Sequence, residues 1–273
     1  MDPQIVDKYL DRIGASRDST LHELHARHVS AVPYENLSIH LGETITLTED
    51  VLVDKIIRRR RGGFCYELNG AFAALLTALG HDVQMLSAKV FMDGVLGPPF
   101  DHMALRVGDL LVDVGFGRFS FRPLDLLSRE DQHDPAGVFR LVDTPEGDID
   151  VQFDGEAQYR LELRPRRLEE FRATCWYQQT WPDSIFRRGA TCSLPTPDGR
   201  VTVAGSRLIV TKDGVRREEE LDDAGIIEAH ARYFGVELDR VPRLRPANGT
   251  GNGNGNGHPT RDRVPACDRG PRL

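Results

Sequence analysis

The sequence predicts an α+β fold, and three observations predict it. Through residue 80 the apolar residues recur at helical spacing, and glycines stand where helices would stop. Beyond Gly80 the pattern changes to short apolar runs punctuated by Gly, Pro and Asp turns. One helical pattern then returns, over Asp222 to Phe234, and Gly235 closes it. Helices first and strands afterwards, without regular βα alternation, is the order that segregates helices from a sheet. With 273 residues, 40% of them hydrophobic, the chain exceeds the usual size of one domain, so two or three subdomains sharing a core are expected.

The first helix carries Ile5, Tyr9, Leu10 and Ile13 on one face and ends at Gly14. Thr20 and Glu23 form a capping box for a second helix bearing Leu21 and Leu24. His22, His25 and His28 follow at steps of three. Together they span about 200–240° of a helix with ~3.6 residues per turn, so they read as a solvated polar face rather than a metal cage. Ala31 to Leu37 reads as a loop, because Pro33 pushes the preceding residue out of helix. A third helix runs from about Glu49 to Arg59. The run Arg58 to Arg61 reads as a solvated helix end, where cations meet the C-terminal dipole.

Next comes Arg61-Gly62-Gly63-Phe64-Cys65-Tyr66-Glu67-Leu68-Asn69. Leu68, Phe72, Leu75, Leu76 and Leu79 then repeat at helical spacing, which places Cys65 at a helix start. Unpaired N–H groups and the helix dipole favour a thiolate there. The glycine pair allows close backbone approach to a ligand. Strands are expected over Val83 to Phe91, Met103 to Val107 and Leu110 to Val114, the last two joined by a tight turn at Gly108-Asp109. Weaker strand signals lie near Val138 to Val142, Gln158 to Leu163 and Val201 to Val203. A further hairpin joins Arg207 to Thr211 with Val215 to Glu219. From about Pro246 the chain is Gly-Asn repeats, prolines and charges, a composition expected to be disordered.

Composition narrows the partners. The formal net charge is -7 with the signs mixed, which argues against nucleic acid. Met1 to Ile5 lacks the apolar run of a signal peptide, and no segment approaches the ~18 apolar residues of a spanning helix. A soluble cytoplasmic protein that binds neither nucleic acid nor membrane is expected. Cys65, Cys175, Cys192 and Cys267 are then expected as reduced thiols, and with no CxxC pair no metal site is expected.

A cysteine nucleophile needs a base, and the base an orienting group. If Gly108-Asp109 is the turn, Val107 pairs with Leu110 and Ala104 with Asp113. Alternation then puts His102 on the face of Ala104 and Asp113, as a diagonal neighbour of Asp113. An Asp in the apolar run Leu110 to Val114 is costly without a partner, and His102 is within reach. Asp101 adjoins His102 but points to the other face.

These residues resemble the signature of the arylamine N-acetyltransferases: Arg61 to Asn69, Phe100-Asp101-His102-Met103, Val112-Asp113-Val114-Gly115-Phe116-Gly117 and Val32-Pro33-Tyr34-Glu35-Asn36-Leu37. The resemblance covers roughly residues 5 to 245. It implies a helical bundle (residues 1–82), a β-barrel-like domain (83–190) and a C-terminal α/β lid (191–245), with a papain-like site between the first two. It also implies acetyl-coenzyme A as donor, no metal, and a ping-pong reaction. By position, Cys65 is the acetylated nucleophile, His102 the general base and Asp113 the group fixing the imidazole. Arg61 would pair with Glu35 beneath the nucleophile. Phe64, Phe100 and Phe116 are expected to shield the acyl-enzyme from water. The implied acceptor is a small arylamine or arylhydrazine. The same family includes amide synthases that close polyketide macrolactams, loading a polyketide acyl chain on the same triad, and the motifs leave that alternative open. A cysteine hydrolase and a non-catalytic binding module are remoter alternatives. Trp181, in Thr180-Trp181-Pro182, departs from a pattern in which many members carry histidine.

Overall fold

The computed structural model describes residues 1–118 and 120–244. The Gly-Asn-rich stretch and Cys267 lie outside the described residues. Helices α1 (Pro3–Ile13), α2 (Leu21–Ala31), α3 (Leu37–Leu41), α4 (Glu49–Ile57) and α5 (Cys65–Ala78) come first. The caps are those the sequence carries. Asp2 accepts from the Gln4 N–H, Thr20 and Glu23 close the capping box, and Gly14 takes the left-handed conformation. The expected loop at Ala31 to Leu37 needs correction. It holds a two-residue strand, β1 (Tyr34–Glu35), and Leu37 opens α3.

A barrel-like sheet follows, built from β2 (Val83–Met92), β3 (Val95–Leu96), β4 (His102–Val107), β5 (Leu110–Val112), β6 (Leu124–Asp125), β7 (Gln132–Asp134), β8 (Gly137–Asp143), β9 (Ile149–Phe153) and β10 (Glu156–Arg166). Its order is β6-β5-β4-β2-β10-β9-β8-β7, with β3 appended to β2. The two ends of this path are joined by a side chain. The Gln132 amide accepts from the Asp125 N–H at 2.7 Å and donates to the Asp125 carbonyl at 2.9 Å. Helix α6 (Arg172–Thr180) leads to a second antiparallel sheet of β11 (Thr191–Thr196), β12 (Gly199–Ala204), β13 (Arg207–Lys212) and β14 (Val215–Glu220), and to α7 (Asp223–Phe234). β1 pairs with β11, so the helical N-terminal part contributes a strand to the C-terminal sheet.

Alternation along β4 decides what lies where. Met103 and Leu105 pack into the core shared with α5, whereas Ala104 packs into the barrel interior with Leu111. His102 is therefore on the barrel side, and the backbone of β4 faces the start of α5.

His22 is exposed, but the reading of a solvated histidine face fails for His25 and His28, which are fully buried. Steps of three turn these two toward the bundle axis, and each meets a polar partner there. His28 Nε2 is 3.0 Å from the Tyr9 hydroxyl, and its ring packs on Phe72. Burial, with His25 and Arg12 nearby, lowers the His28 pKa to about 3. The unfolded chain takes up a proton below pH ~6.5 that the folded chain refuses until far lower. Stability is therefore complete above pH ~6.5 and is lost progressively as pH falls toward 3, by about 2 kcal/mol at pH 5. Urea unfolding at pH 7 and pH 5 is expected to show this loss, reduced in His28→Gln. An equal loss in the variant would place the acid sensitivity elsewhere.

Candidate active site

The approach to Cys65 is built on a buried charge cluster. Arg58, Arg59 and Arg60 are exposed, as expected of a helix end, and Arg60 turns through a left-handed φ of 49°. Arg61 is then carried inward to pair with Glu35 at 2.9 Å, both side chains buried. Lys55 joins them at 3.6 Å from Glu35 and 2.6 Å from Glu67. Burial pushes the Glu35 carboxyl up, but Lys55, Arg61 and the Leu37 N–H outweigh it and hold it ionised. Removing one cation from such a set strands a charge, at a cost of about 3–5 kcal/mol. The glycine pair, expected to admit a ligand, is packed against protein instead, a third correction. A Cβ on Gly62 would lie 1.7 Å from the Pro33 carbonyl oxygen, and one on Gly63 2.5 Å from Glu67 Cβ. The Gly63 carbonyl accepts from the Glu35 N–H at 2.8 Å, which seats the loop before α5 against β1. Glu67 finishes the helix start by accepting from the Phe64 N–H at 3.3 Å.

His102 and Asp113, the base and orienting group expected from the sequence, meet on the β4–β5 hairpin. Val107 pairs with Leu110, as the turn predicts, and His102 Nε2 lies 2.7 Å from Asp113 Oδ2. Both carboxylate oxygens of Asp113 are engaged. Oδ2 also accepts from the Tyr159 hydroxyl at 3.0 Å, and Oδ1 accepts from Asn69 Nδ2 at 2.9 Å and the Gly115 N–H at 3.0 Å. Burial pushes this carboxyl up, while His102, Asn69 and Gly115 together bring it below the usual range. Four donors leave it no role except acceptor. Nε2 of His102 therefore carries the proton, and Nδ1 is the basic nitrogen of the neutral ring. His25 supports the same residue from α2. Its Nε2 accepts from the Asp113 N–H at 3.3 Å, and its Nδ1 donates to the Phe121 carbonyl at 3.2 Å.

Cys65 is brought to this hairpin by backbone contact. A Cβ on Gly115 would lie 2.8 Å from Cys65 Cα, so only glycine permits the approach. The Cys65 sulfur lies 4.0 Å from the Asp101 carbonyl oxygen and accepts from the Met103 N–H, which places it against the residues on either side of His102. The expected lowering of the thiol by the helix start is not what its surroundings produce. Burial pushes the Cys65 thiol well up, the Met103 N–H opposes this, and Asp101 and Asp113 add to the rise. Ionisation of the sulfur therefore depends on a proton acceptor beside it.

The three aromatic residues fall around the site in different ways. Phe116 meets the His102 ring edge-on at 5.0 Å. Phe100 packs against Phe171 at 5.2 Å, and Phe64 is fully buried between Tyr66 and Phe186. Trp181 caps the end of α6 and is 49% exposed, stacked on Tyr177. Sequence reasoning missed the supporting roles of Lys55, Glu67, Asn69, Tyr159 and His25. For Asn69 a signal existed, since it lies four residues after Cys65 and so on the same helix face.

The site is thus a cysteine at a helix start, seated on a His–Asp hairpin between a helical bundle and a barrel-like sheet, and comparison with known proteins places this arrangement among acyltransferases. The N-acetyltransferase family model matches residues 19–242. A pineal-gland arylamine N-acetyltransferase of Gallus gallus is 35% identical, over 81% of this chain and 88% of its own. Among solved structures, the M. smegmatis arylamine N-acetyltransferase is 32% identical with a TM-score of 0.77, covering 87% of this chain and 93% of that one. The Mycobacterium marinum enzyme, solved in complex with CoA, is 30% identical with a TM-score of 0.77, covering 85% and 92%. The chain belongs to the arylamine N-acetyltransferase family. Among the described residues, no helix is long and apolar enough to cross a membrane.

Proposed function

We propose that this protein moves an acetyl group from acetyl-coenzyme A to the Cys65 sulfur, and from there to the nitrogen of a small arylamine or arylhydrazine. The observation that carries this reading is the seating of Cys65 against the hairpin of His102 and Asp113, with Asp113 held by four donors. The CoA complex of the Mycobacterium marinum relative supports the donor.

In the first half-reaction His102 Nδ1 takes the thiol proton as the Cys65 sulfur attacks the thioester carbonyl carbon. The tetrahedral oxyanion is met by the Cys65 backbone N–H at the helix N-terminus. The bond to the coenzyme sulfur then breaks, and the departing thiolate receives the proton from His102. The exchange of one thioester for another is nearly balanced in energy. In the second half the amine nitrogen attacks the acetyl carbon, His102 takes the nitrogen's proton, and the C–S bond to Cys65 breaks as the departing sulfur takes that proton back from His102. Asp113 stabilises the imidazolium that forms in both halves. Arg61 and Glu35 steady the loop beneath the nucleophile. Phe64, Phe100 and Phe116 keep water from the acyl-enzyme, where hydrolysis would waste it. Initial rates measured against acetyl-coenzyme A at several fixed arylamine concentrations should give parallel double-reciprocal lines. Intersecting lines would mean a ternary complex and contradict the two-step route.

A further inference from the structure

A second carboxylate stands at this site, and the two half-reactions do not use it. Asp101, in the bend just before β4, is 7% exposed, and its side chain reaches α6 rather than Asp113. Its Oδ1 accepts from Gln178 Nε2 of α6 at 2.6 Å. The Gln178 carbonyl accepts from the Ser184 hydroxyl at 2.7 Å, and that hydroxyl accepts from the Phe186 N–H. Phe186 packs on Phe64, the residue before the nucleophile, with ring centroids 4.9 Å apart. The chain of contacts thus leaves the base at Asp101, passes through α6, and returns to the nucleophile's own loop. Gly97 makes room for it, since a Cβ there would lie 2.4 Å from Asp101 Oδ2.

The corner that Asp101 anchors is strained. Phe100 is a non-glycine residue at φ 62°. The Tyr66 hydroxyl is within 2.8 Å of the Phe100 carbonyl oxygen and 3.1 Å of that of Asp101, and the Phe100 N–H donates to Ser87 at 3.2 Å. Such a conformation persists only where its surroundings over-determine it. Among the described residues no cation pairs with Asp101. Burial pushes its carboxyl up, against the pull of Gln178, His102 and the Val90 N–H. The titratable and charged groups facing this corner are His102, Cys65 and Tyr66, with Asp113 behind His102, Cys175 on α6, and Arg166 over the Phe100 ring at 4.9 Å.

We propose that Asp101 is a positioning residue for the transfer reaction. Its carboxylate, gripped by Gln178, holds the Phe100–His102 corner against Cys65, and its negative charge sets the pH range over which Cys65 and His102 exchange their proton. This rests on the Cys65–His102 reading given above. The direction of the charge effect is fixed by electrostatics. A nearby anion disfavours the Cys65 thiolate, so it raises the pH at which the sulfur loses its proton. Removing it lowers that pH.

The test is the pH dependence of iodoacetamide alkylation of Cys65, followed by intact mass, in the wild type, His102→Ala, Asp101→Asn and Gln178→Leu. Asp101→Asn is expected to move the midpoint about one pH unit lower. Gln178→Leu keeps the charge and removes the grip. Its midpoint should not fall, while kcat for acetyl transfer drops about tenfold with little change in acceptor KM. A loss of packing alone would not move a midpoint to lower pH. With alkylation dependent on His102, an Asp101→Asn midpoint at or above the wild-type value overturns the proposal, as does an unchanged kcat in Gln178→Leu. Should Asp101→Asn not fold, the Gln178→Leu kcat decides alone. Alkylation that is the same in His102→Ala and the wild type would overturn the Cys65–His102 reading, and the Asp101 proposal with it.

Discussion

Cys65→Ala is expected to lower kcat/KM for acetyl transfer to arylamines by ~10⁴ or more while the fold is retained. The change removes one sulfur from a buried position, and alanine fits the first turn of a helix. No other described thiol can take over. Cys175 is on α6 and hydrogen-bonded to Gln179, and Cys192 is inside the C-terminal sheet. The check is arylamine acetylation beside a thermal unfolding curve. Appreciable transfer by a folded Cys65→Ala protein would return the chain to the class of binding modules or to direct transfer.

Asp113→Asn is the second large effect. Asparagine keeps the shape but replaces one acceptor oxygen with an NH₂ donor. At Oδ2 that donor would face His102 Nε2 and Tyr159; at Oδ1 it would face Asn69 Nδ2 and the Gly115 N–H. Either orientation sets donors against donors, and the one facing His102 favours the ring tautomer with its proton on Nδ1, the wrong nitrogen for a base. A fall in kcat of ~10⁴ is expected, the size seen when a triad histidine loses its orienting carboxylate. Stability should also drop, since burying unsatisfied donors costs about 1–3 kcal/mol each. A kcat within tenfold of the wild type would show that Asp113 does not orient the base.

The part of this site that lies on one hairpin was legible before any fold was known. Strand alternation and a two-residue turn suffice to put His102 and Asp113 on one face, and the helical period after Cys65 suffices to put the sulfur at a helix start. The joining of the two was not legible from spacing, because it depends on Gly115 lying against Cys65; the family resemblance supplied it. Residues whose role is set by tertiary neighbours stayed hidden. Lys55 looks like any surface lysine of an amphipathic helix until Glu35 and Glu67 are beside it. His25 and His28 were misread because a three-residue step does not say which side of the helix faces inward. Helix α6 escaped because Arg172–Thr180 is short and polar, with little apolar periodicity. β9 and β11 were also missed. The first is only five residues long, and the second carries Pro195, a poor strand former. The glycines before Cys65 were read as a ligand approach because glycine marks close contact without naming the partner.

The central claim is a covalent acetyl-cysteine intermediate, and intact-protein mass tests it most directly. Wild-type protein mixed with acetyl-coenzyme A should gain one acetyl group, and peptide mapping should place it on Cys65. Addition of an arylamine should return the mass to its starting value as the N-acetyl product appears. A protein that gains no acetyl group, while still acetylating arylamines or accepting only longer acyl thioesters, would contradict the account.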